Sequence, residues 1–364
     1  MNKTILLVGA VSSNPAQYTY APSFARALQK LGNTVVLFNN KKKLLPFSIN
    51  RLTRLNNYLI NKQLLSTVKK LKPQIIFLIK ADNIFSSTLR AIKKTDPTVR
   101  LINFYPDNPF VFWNGNSNTN VLESLPYYDD FLIWSSMLVP VLESAGCKRV
   151  HYFPLGFDDD LFAIDSIAIP SDRYQTDVCF VGTWEPERER WLSDVCQRLP
   201  NLAVAIWGDL WSVHIKPGHI LYEKIRGNAI YGTDMIRIFQ QSKIVLNFIR
   251  QQNASAHNMR TFEVPACKAF LLTQRTKEQA QELFQEGHSI ECFESIDELI
   301  VKIEKFIDDK NEHVKRSIID CGYNVVQQFS LTRLLKNFFA ERETTYFTQP
   351  KSRGGFHDKP FISI

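Results

Sequence analysis

Three arginines, one glutamate and one aspartate in this 364-residue sequence stand where an anionic ligand would need them. Arg188, Arg250 and Arg260 fall just past expected strand ends or at expected helix starts. From such positions a guanidinium can grip a diphosphate through two parallel hydrogen bonds. For Arg250 a solvated loop cation is the plain alternative. Glu263 follows a loop and lies in the first turn of an expected helix. Its carboxylate can accept both hydroxyls of a ribose, each bond being worth about 1.5–3 kcal/mol when shielded from water, or it can simply complement the helix dipole. Asp107, just beyond the fourth expected strand, is either an acceptor contact or base facing a cleft, or a turn residue ahead of Asn108-Pro109. Gly9 and Gly182, each following a valine that ends an apolar run, allow turns in which backbone N–H groups approach ligand oxygens.

The elements that must hold these groups alternate along the chain. Apolar runs at Thr4 to Val8, Thr34 to Phe38, Gln74 to Ile79, Leu101 to Tyr105, Phe131 to Trp134 and His151 to Phe153 read as strands of a parallel sheet covered by helices. Between the first two, Phe24, Ala27, Leu28 and Leu31 recur at helical spacing and Gly32 supplies the stop. A polar stretch from Asp165 to Thr176 is expected to link two domains, because the pattern restarts after it. The second set of strands is Val178 to Val181, Ala203 to Trp207, Ile244 to Ile249, Phe270 to Thr273 and Ile290 to Phe293. Ser295 and Glu298 form a capping box ahead of a helix whose Ile296, Leu299, Ile300, Ile303, Phe306 and Ile307 share one face. The expected fold class is α/β: two Rossmann-like, doubly wound domains, residues 1–170 and 171–340, facing each other across a cleft where strand C-termini and helix N-termini converge on a ligand. Helices around Leu331 to Arg342 should cross back to the first domain, and residues 341–364 should hold the end of that crossing and an irregular tail, from about Thr348, containing Pro350, Gly354, Gly355 and Pro360.

Composition narrows the partners. No run approaches the roughly 18 apolar residues needed to span a bilayer. The six cysteines, Cys147, Cys179, Cys196, Cys267, Cys292 and Cys321, include no Cys-x-x-Cys pair, so reduced thiols in a cytoplasmic protein are expected. Residues 1–100 carry 17 Lys and Arg against Asp82 and Asp96, a charge of +15 that leaves −7 for the remainder. One half therefore suits an anionic partner. Lys41 to Lys72 holds nine basic residues and no acid, and Arg51, Arg54, Lys62, Lys69 and Lys72 fall within about 80° of one helical face. That face can meet anionic lipid headgroups at the inner side of a membrane, guide an acidic glycan, or simply be solvated. Nucleic acid is not expected, since no aromatic RNA-binding motif or DNA-reading module is present. Gly9 is followed by Ala10 and Val11 with no glycine before Gly32, which lacks the nicotinamide dinucleotide fingerprint. Asp158-Asp159-Asp160 has the look of metal-binding acids but follows a Pro-Leu-Gly segment near the domain join, and His214 and His219 lie five apart across the Pro217-Gly218 loop, so no metal is expected.

Asp177-Val178-Cys179-Phe180-Val181-Gly182-Thr183, Ser242-Lys243-Ile244-Val245-Leu246-Asn247 and Arg260-Thr261-Phe262-Glu263 resemble the CgeB-type, or spore-maturation-like, glycosyltransferases, relatives of the GT4 enzymes with the two-domain GT-B architecture. The resemblance covers most of the chain and is strongest from Val178 to Phe338. In the first half, Tyr105-Pro106-Asp107-Asn108-Pro109 and Phe153-Pro154-Leu155-Gly156-Phe157-Asp158 are similar to family segments lining the cleft. The resemblance implies transfer of a sugar from a nucleotide-sugar to a glycan, lipid or protein acceptor, retaining and metal-independent, with no further cofactor. It implies a donor site built from Gly182, Thr183, Asn247, Arg250, Arg260 and Glu263, with Glu263 on the ribose and with Arg188 and Arg260 on the diphosphate as catalytic cations. Asp107 would be catalytic on the acceptor side, where Gly9 and Asn108 line the acceptor or phosphate loop. In a retaining reaction the leaving phosphate itself can take the incoming hydroxyl's proton. Two positions depart from the family. Ser255 stands eight residues before Glu263, where many relatives carry a second glutamate, and Lys268 follows Ala266-Cys267, where relatives usually have glycine. Lys268 is expected either to crowd the sugar pocket or to contact phosphate. A sugar-nucleotide epimerase and a non-catalytic nucleotide-sugar-binding or assembly protein are the alternatives.

Overall fold

Apolar runs such as Ile5-Leu6-Leu7-Val8 and Ile75-Ile76-Phe77-Leu78 have no polar face to show water, so they form strands covered on both sides. The computed structural model describes residues 2–12, 19–44, 50–111, 118–164, 174–250 and 255–340, which leaves residues 165–173 of the expected Asp165 to Thr176 linker, and the tail beyond residue 340, outside the described residues, while Thr176 itself opens the second sheet. In the first half the order is β1 (Thr4–Gly9), α1 (Tyr20–Lys30), β2 (Thr34–Asn39), α2 (Asn50–Leu71), β3 (Ile75–Ile79), α3 (Ser86–Thr95), β4 (Arg100–Tyr105), α4 (Thr119–Ser124), β5 (Asp130–Ile133), α5 (Val139–Ser144) and β6 (Val150–Tyr152). Its six strands lie in the order β2-β1-β3-β4-β5-β6, all parallel, with Ile5 opposite Val35 on one side and Ile75 on the other. Phe24 of α1 stacks on Phe104 at 5.0 Å and Phe104 meets Phe153 edge-on at 5.4 Å, sealing the helix to the sheet.

The second half runs β7 (Thr176–Val181), α6 (Pro186–Arg198), β8 (Val204–Trp207), α7 (Trp211–His214), β9 (Ile225–Gly227), α8 (Gly232–Gln240), β10 (Ser242–Asn247), α9 (Arg260–Ala266), β11 (Leu271–Gln274), a π-helical turn at Glu278–Leu283, β12 (Glu291–Phe293), α10 (Ile296–Ile307), α11 (Glu312–Val326) and α12 (Leu331–Ala340). Its sheet order is β12-β11-β10-β7-β8-β9, again parallel throughout. Strand β9 was not among the expected strands. The capping box is half formed: Ser295 Oγ accepts the Glu298 N–H at 3.2 Å, but the Glu298 carboxylate accepts the Glu294 N–H at 2.8 Å and pairs with Arg275. A guanidinium is the stronger partner for a carboxylate than a lone backbone amide.

In both sheets the chain reverses direction across the sheet at one point, between β1 and β3 in the first and between β7 and β10 in the second. Ligands bind at the carboxyl ends of the strands flanking such a switch. The halves are joined twice, and the two connections touch. Phe157 and Ser330 form a parallel bridge, with the Phe157 N–H donating to Phe329 O at 3.2 Å and the Leu331 N–H donating to Phe157 O at 2.9 Å. Gly156 sits there with φ +61, and a Cβ at that position would lie 2.4 Å from Phe329 O. Beyond this seam α12 returns to the first half. Phe338 receives the Arg100 guanidinium at 5.0 Å and the His151 ring at 5.2 Å, and Thr332 Oγ1 donates to Asp159 at 2.8 Å. The Asp158-Asp159-Asp160 run clasps α1, with Asp158 paired to Arg26 and Lys30 Nζ lying 2.9 Å from Asp159 and 2.6 Å from Asp160.

Candidate active site

The second sheet's switch point gathers the arginines. After β7 the chain turns through Gly182 and Thr183, where the Gly182 N–H donates to Trp207 O at 2.9 Å and Trp211 Nε1 donates to Gly182 O at 2.8 Å. Gly208 makes this turn possible, because a Cβ there would stand 1.9 Å from Gly182 O. Pro186 opens α6, which suits a position whose N–H would have no helical partner. Two residues later Arg188, only 8% exposed, donates from Nη1 to Thr183 O at 2.7 Å. Glu185 bridges two cations, with Oε2 at 3.3 Å from Arg188 Nε and Oε1 at 2.6 Å from Arg250 Nε. Burial, offset in part by Glu185 and reinforced by the charges of Arg250 and Arg260, draws the Arg188 guanidinium down to about 10.

Arg260 arrives from the next element. It begins α9, its Nε donates to Val181 O at 3.4 Å, and its guanidinium pairs with Glu263 while lying 5.7 Å over the Phe239 ring. Glu263 is 2% exposed, so its charge is held in the interior by Arg260. Arg188, Arg250, Arg260, Glu263, Gly182 and Thr183 thus come together at the ends of β7 and β10, with Glu185 and Glu263 holding the guanidiniums in place. Asn247 does something else. Its side-chain amide donates to Thr273 Oγ1 and Asn258 Oδ1, each at 3.0 Å, and its Oδ1 accepts from Asn258 at 2.8 Å. This buried exchange pins the loop before α9 to β10 and β11, so the Asn247 amide is already engaged within the protein. Lys268 is exposed and takes the left-handed conformation, φ 53, that glycine adopts most freely, and its ammonium lies 4.5 Å over the Tyr323 ring of α11.

The first half supplies the opposing wall. Asp107 pairs with Lys80 Nζ at 2.6 Å. Lys80 has φ 60, and the Ala81 N–H donates across it to Ile79 O at 2.7 Å, a strained three-residue turn of the kind that concentrates at functional sites. Tyr20, half-buried at the start of α1, lies between the halves. Burial first, then the charges of Asp107 from one half and Glu263 from the other, push its phenol well above the ordinary value. The remaining two expected residues are scaffold. The Asn108 side chain accepts the Phe110 N–H at 2.9 Å, folding the Asn-Pro turn. A Cβ on Gly9 would come within 2.7 Å of Ala21 Cβ, so this glycine lets α1 close on β1. Tyr20, Lys80 and Glu185 were not among the expected residues. Only Glu185, preceding Pro186 at a helix start, carried a local signal.

Two six-stranded, doubly wound parallel sheets meeting across strand carboxyl ends are the GT-B architecture. Solved structures with this fold superpose on nearly the whole chain. HepE of Anabaena in complex with UDP and glucose shares 14% identity over 94% of this chain and 100% of its own, with a TM-score of 0.67. Sucrose-phosphate synthase of Thermosynechococcus elongatus shares 11% over 95% and 100%, with a TM-score of 0.65, and a glycosyltransferase of Rickettsia africae shares 16% over 95% and 100%, with a TM-score of 0.63. Residues 188–350 match the family described as glycosyl transferase-like. The solved structures share the fold of this chain, and the family match covers a little under half of it. No curated protein matches it by sequence.

Proposed function

We propose that this chain transfers a sugar from a nucleotide-sugar donor to a glycan, lipid or protein hydroxyl, with retention and without a metal ion. The observation that carries the reading is the trio Arg188, Arg250 and Arg260 converging on the Gly182–Thr183 turn at the β7/β10 switch point. Glycosyl transfer leaves negative charge on the departing diphosphate, and fixed guanidiniums in a partly dry site stabilise that charge as it develops. They supply the positive charge that a divalent cation supplies elsewhere. Glu263 accepts the ribose hydroxyls, and Arg260 then exchanges part of its carboxylate contact for phosphate. Asp107, held by Lys80, and Tyr20 face the acceptor, while the leaving phosphate takes the acceptor proton.

The acceptor is met at a surface. On α2, Arg54, Lys62 and Lys69 are exposed, the side chain of Arg51 lies outside the described residues, and Tyr58 on the same face is 57% exposed. A basic stripe with an outward aromatic suits the anionic headgroup region at the cytoplasmic side of a membrane. No helix among the described residues is long and apolar enough to cross one, so this contact is peripheral.

A thermal-shift panel of UDP, GDP, ADP, dTDP and CDP and their common sugar conjugates, against wild type and Glu263→Ala, tests the donor site. The expected result is selective stabilisation by one nucleotide that is lost in the variant. No shift at saturating ligand overturns the reading, and binding with no slow release of free sugar favours a non-catalytic binding protein.

A further inference from the structure

Between the two halves lies a buried hydrogen-bonded chain that the donor site does not use. His257, fully buried, accepts the Leu155 N–H on Nε2 at 3.1 Å and meets Glu278 Oε1 through Nδ1, also at 3.1 Å. The same Glu278 oxygen accepts the Tyr152 hydroxyl. Because Nε2 receives a backbone proton, the ring's own proton sits on Nδ1 and is donated to Glu278. Tyr152 and Leu155 belong to the end of the first sheet, whereas His257 and Glu278 belong to the second half. The imidazole is wedged edge-on between Trp134 at 5.8 Å and Phe262 at 4.9 Å, with interplanar angles of 89°. Phe262 immediately precedes Glu263, and Arg260 follows His257 by three residues. Leu155 lies two residues before Phe157, which bonds to Phe329 and Leu331 where the halves cross.

We infer that His257 is a positioning residue that ties the start of the donor helix α9 to Leu155 at the seam between the halves, so that occupation of the Arg260–Glu263 grip is felt by the first half. The inference rests on the donor-site reading for its ligand but not for the tie itself. A buried ring hydrogen-bonded on both nitrogens and set edge-on against two aromatic rings has one orientation, and movement of α9 must therefore carry the Leu155 amide with it or break that bond.

Amide hydrogen exchange on the full chain reads this directly, with UDP as the probe. In wild type, UDP should slow exchange in the segment around 260–263 and also at Leu155, which it does not touch. In His257→Phe, which keeps the ring and removes both hydrogen bonds, Leu155 should exchange about ten-fold faster with or without UDP. Strands β1 and β7 should keep wild-type protection, and UDP affinity should stay within about three-fold, since the nucleotide contacts are intact. Tyr152→Phe removes only the far hydroxyl and should give a smaller change of the same pattern. His257→Gln, whose amide oxygen can accept the Leu155 N–H, should restore part of the protection. Equal exchange at Leu155 in wild type and variants overturns the inference. So does acceleration spread evenly over β1 and β7, or a UDP response at Leu155 that survives His257→Phe. Failure of UDP to protect 260–263 in wild type would count against the donor reading for that nucleotide alone, while the ligand-free comparison still decides whether His257 holds Leu155.

Discussion

Arg188 should stabilise ligand binding at the expense of the empty protein, and Arg188→Met separates the two. A guanidinium drawn well down, to about 10, has its charged form disfavoured by about 3 kcal/mol at neutral pH. Because the folded-state value lies below the ordinary one, this penalty is fully present below pH 10 and fades as the pH rises above it. Replacement with methionine removes the penalty but also the 2.7 Å bond to Thr183 O and the approach to the Phe180 ring at 5.6 Å, each worth about 1 kcal/mol. Glu185 is not left alone, since Arg250 remains 2.6 Å from it. The balance is a ligand-free protein more stable by about 1 kcal/mol. The favoured nucleotide at a hundred-fold over its Kd adds about 2.7 kcal/mol to wild type and should add almost nothing to the variant. Urea unfolding at pH 7, with and without nucleotide, measures both effects. A variant weakened by about 2 kcal/mol or more when empty, or stabilised by nucleotide as much as wild type, refutes the reasoning.

Glu185→Gln removes a carboxylate that competes with a diphosphate for Arg188 and Arg250; calorimetry at low salt should show nucleoside diphosphate binding about three- to ten-fold tighter, with the gain shrinking as salt rises. Asp130, 1% exposed, is opposed by burial but held far below the carboxylate range by His151, Arg100 and Arg149, so its stabilisation is present above about pH 4 and lost on acidification. Asp130→Asn strands the buried Arg100 and should lose about 3–5 kcal/mol at pH 7, with a gap to wild type that is constant from pH 7 to 5 and narrows below about pH 4 in denaturant titrations. Gly208→Ala places a methyl against Gly182 O and should weaken nucleotide binding by about ten-fold or more while lowering stability by about 1–3 kcal/mol, which calorimetry and thermal unfolding would record together.

Strands buried on both faces were the most legible part of the fold, since Ile5 to Val8 or Val178 to Val181 have little choice but a covered parallel sheet. Strand β9 escaped because Ile225–Gly227 is three residues long with an exposed arginine at its centre, too short for any periodicity to register. Glu298 keeps its backbone bond to Ser295 Oγ, but its carboxylate is drawn to Arg275, a partner beyond the reach of a local motif. The arginines could be nominated singly from strand ends and helix starts, but their neutralisation by Glu185 and Glu263 depends on β7 lying beside β10. Asn247 and Asn108 drew attention as polar residues at strand ends, and only the structure gives the hydrogen-bond partners that hold them in place. His257 gave no signal at all, since its bond to Leu155 spans 102 residues of sequence.

The parallel bridge at Phe157 and Ser330 also makes the two halves exchangeable parts. Both covalent joints lie side by side and are closed by two backbone hydrogen bonds, Phe157 N to Phe329 O and Leu331 N to Phe157 O, which any sequence with the same glycine turn can form. A chimera that exchanges the chain between Asp160 and Ser330 would carry a foreign second half, while Asp158 to Asp160 keep their hold on α1 and α12 stays with the sheet it covers. Recombination at such a seam exchanges one six-stranded sheet for another without cutting through either.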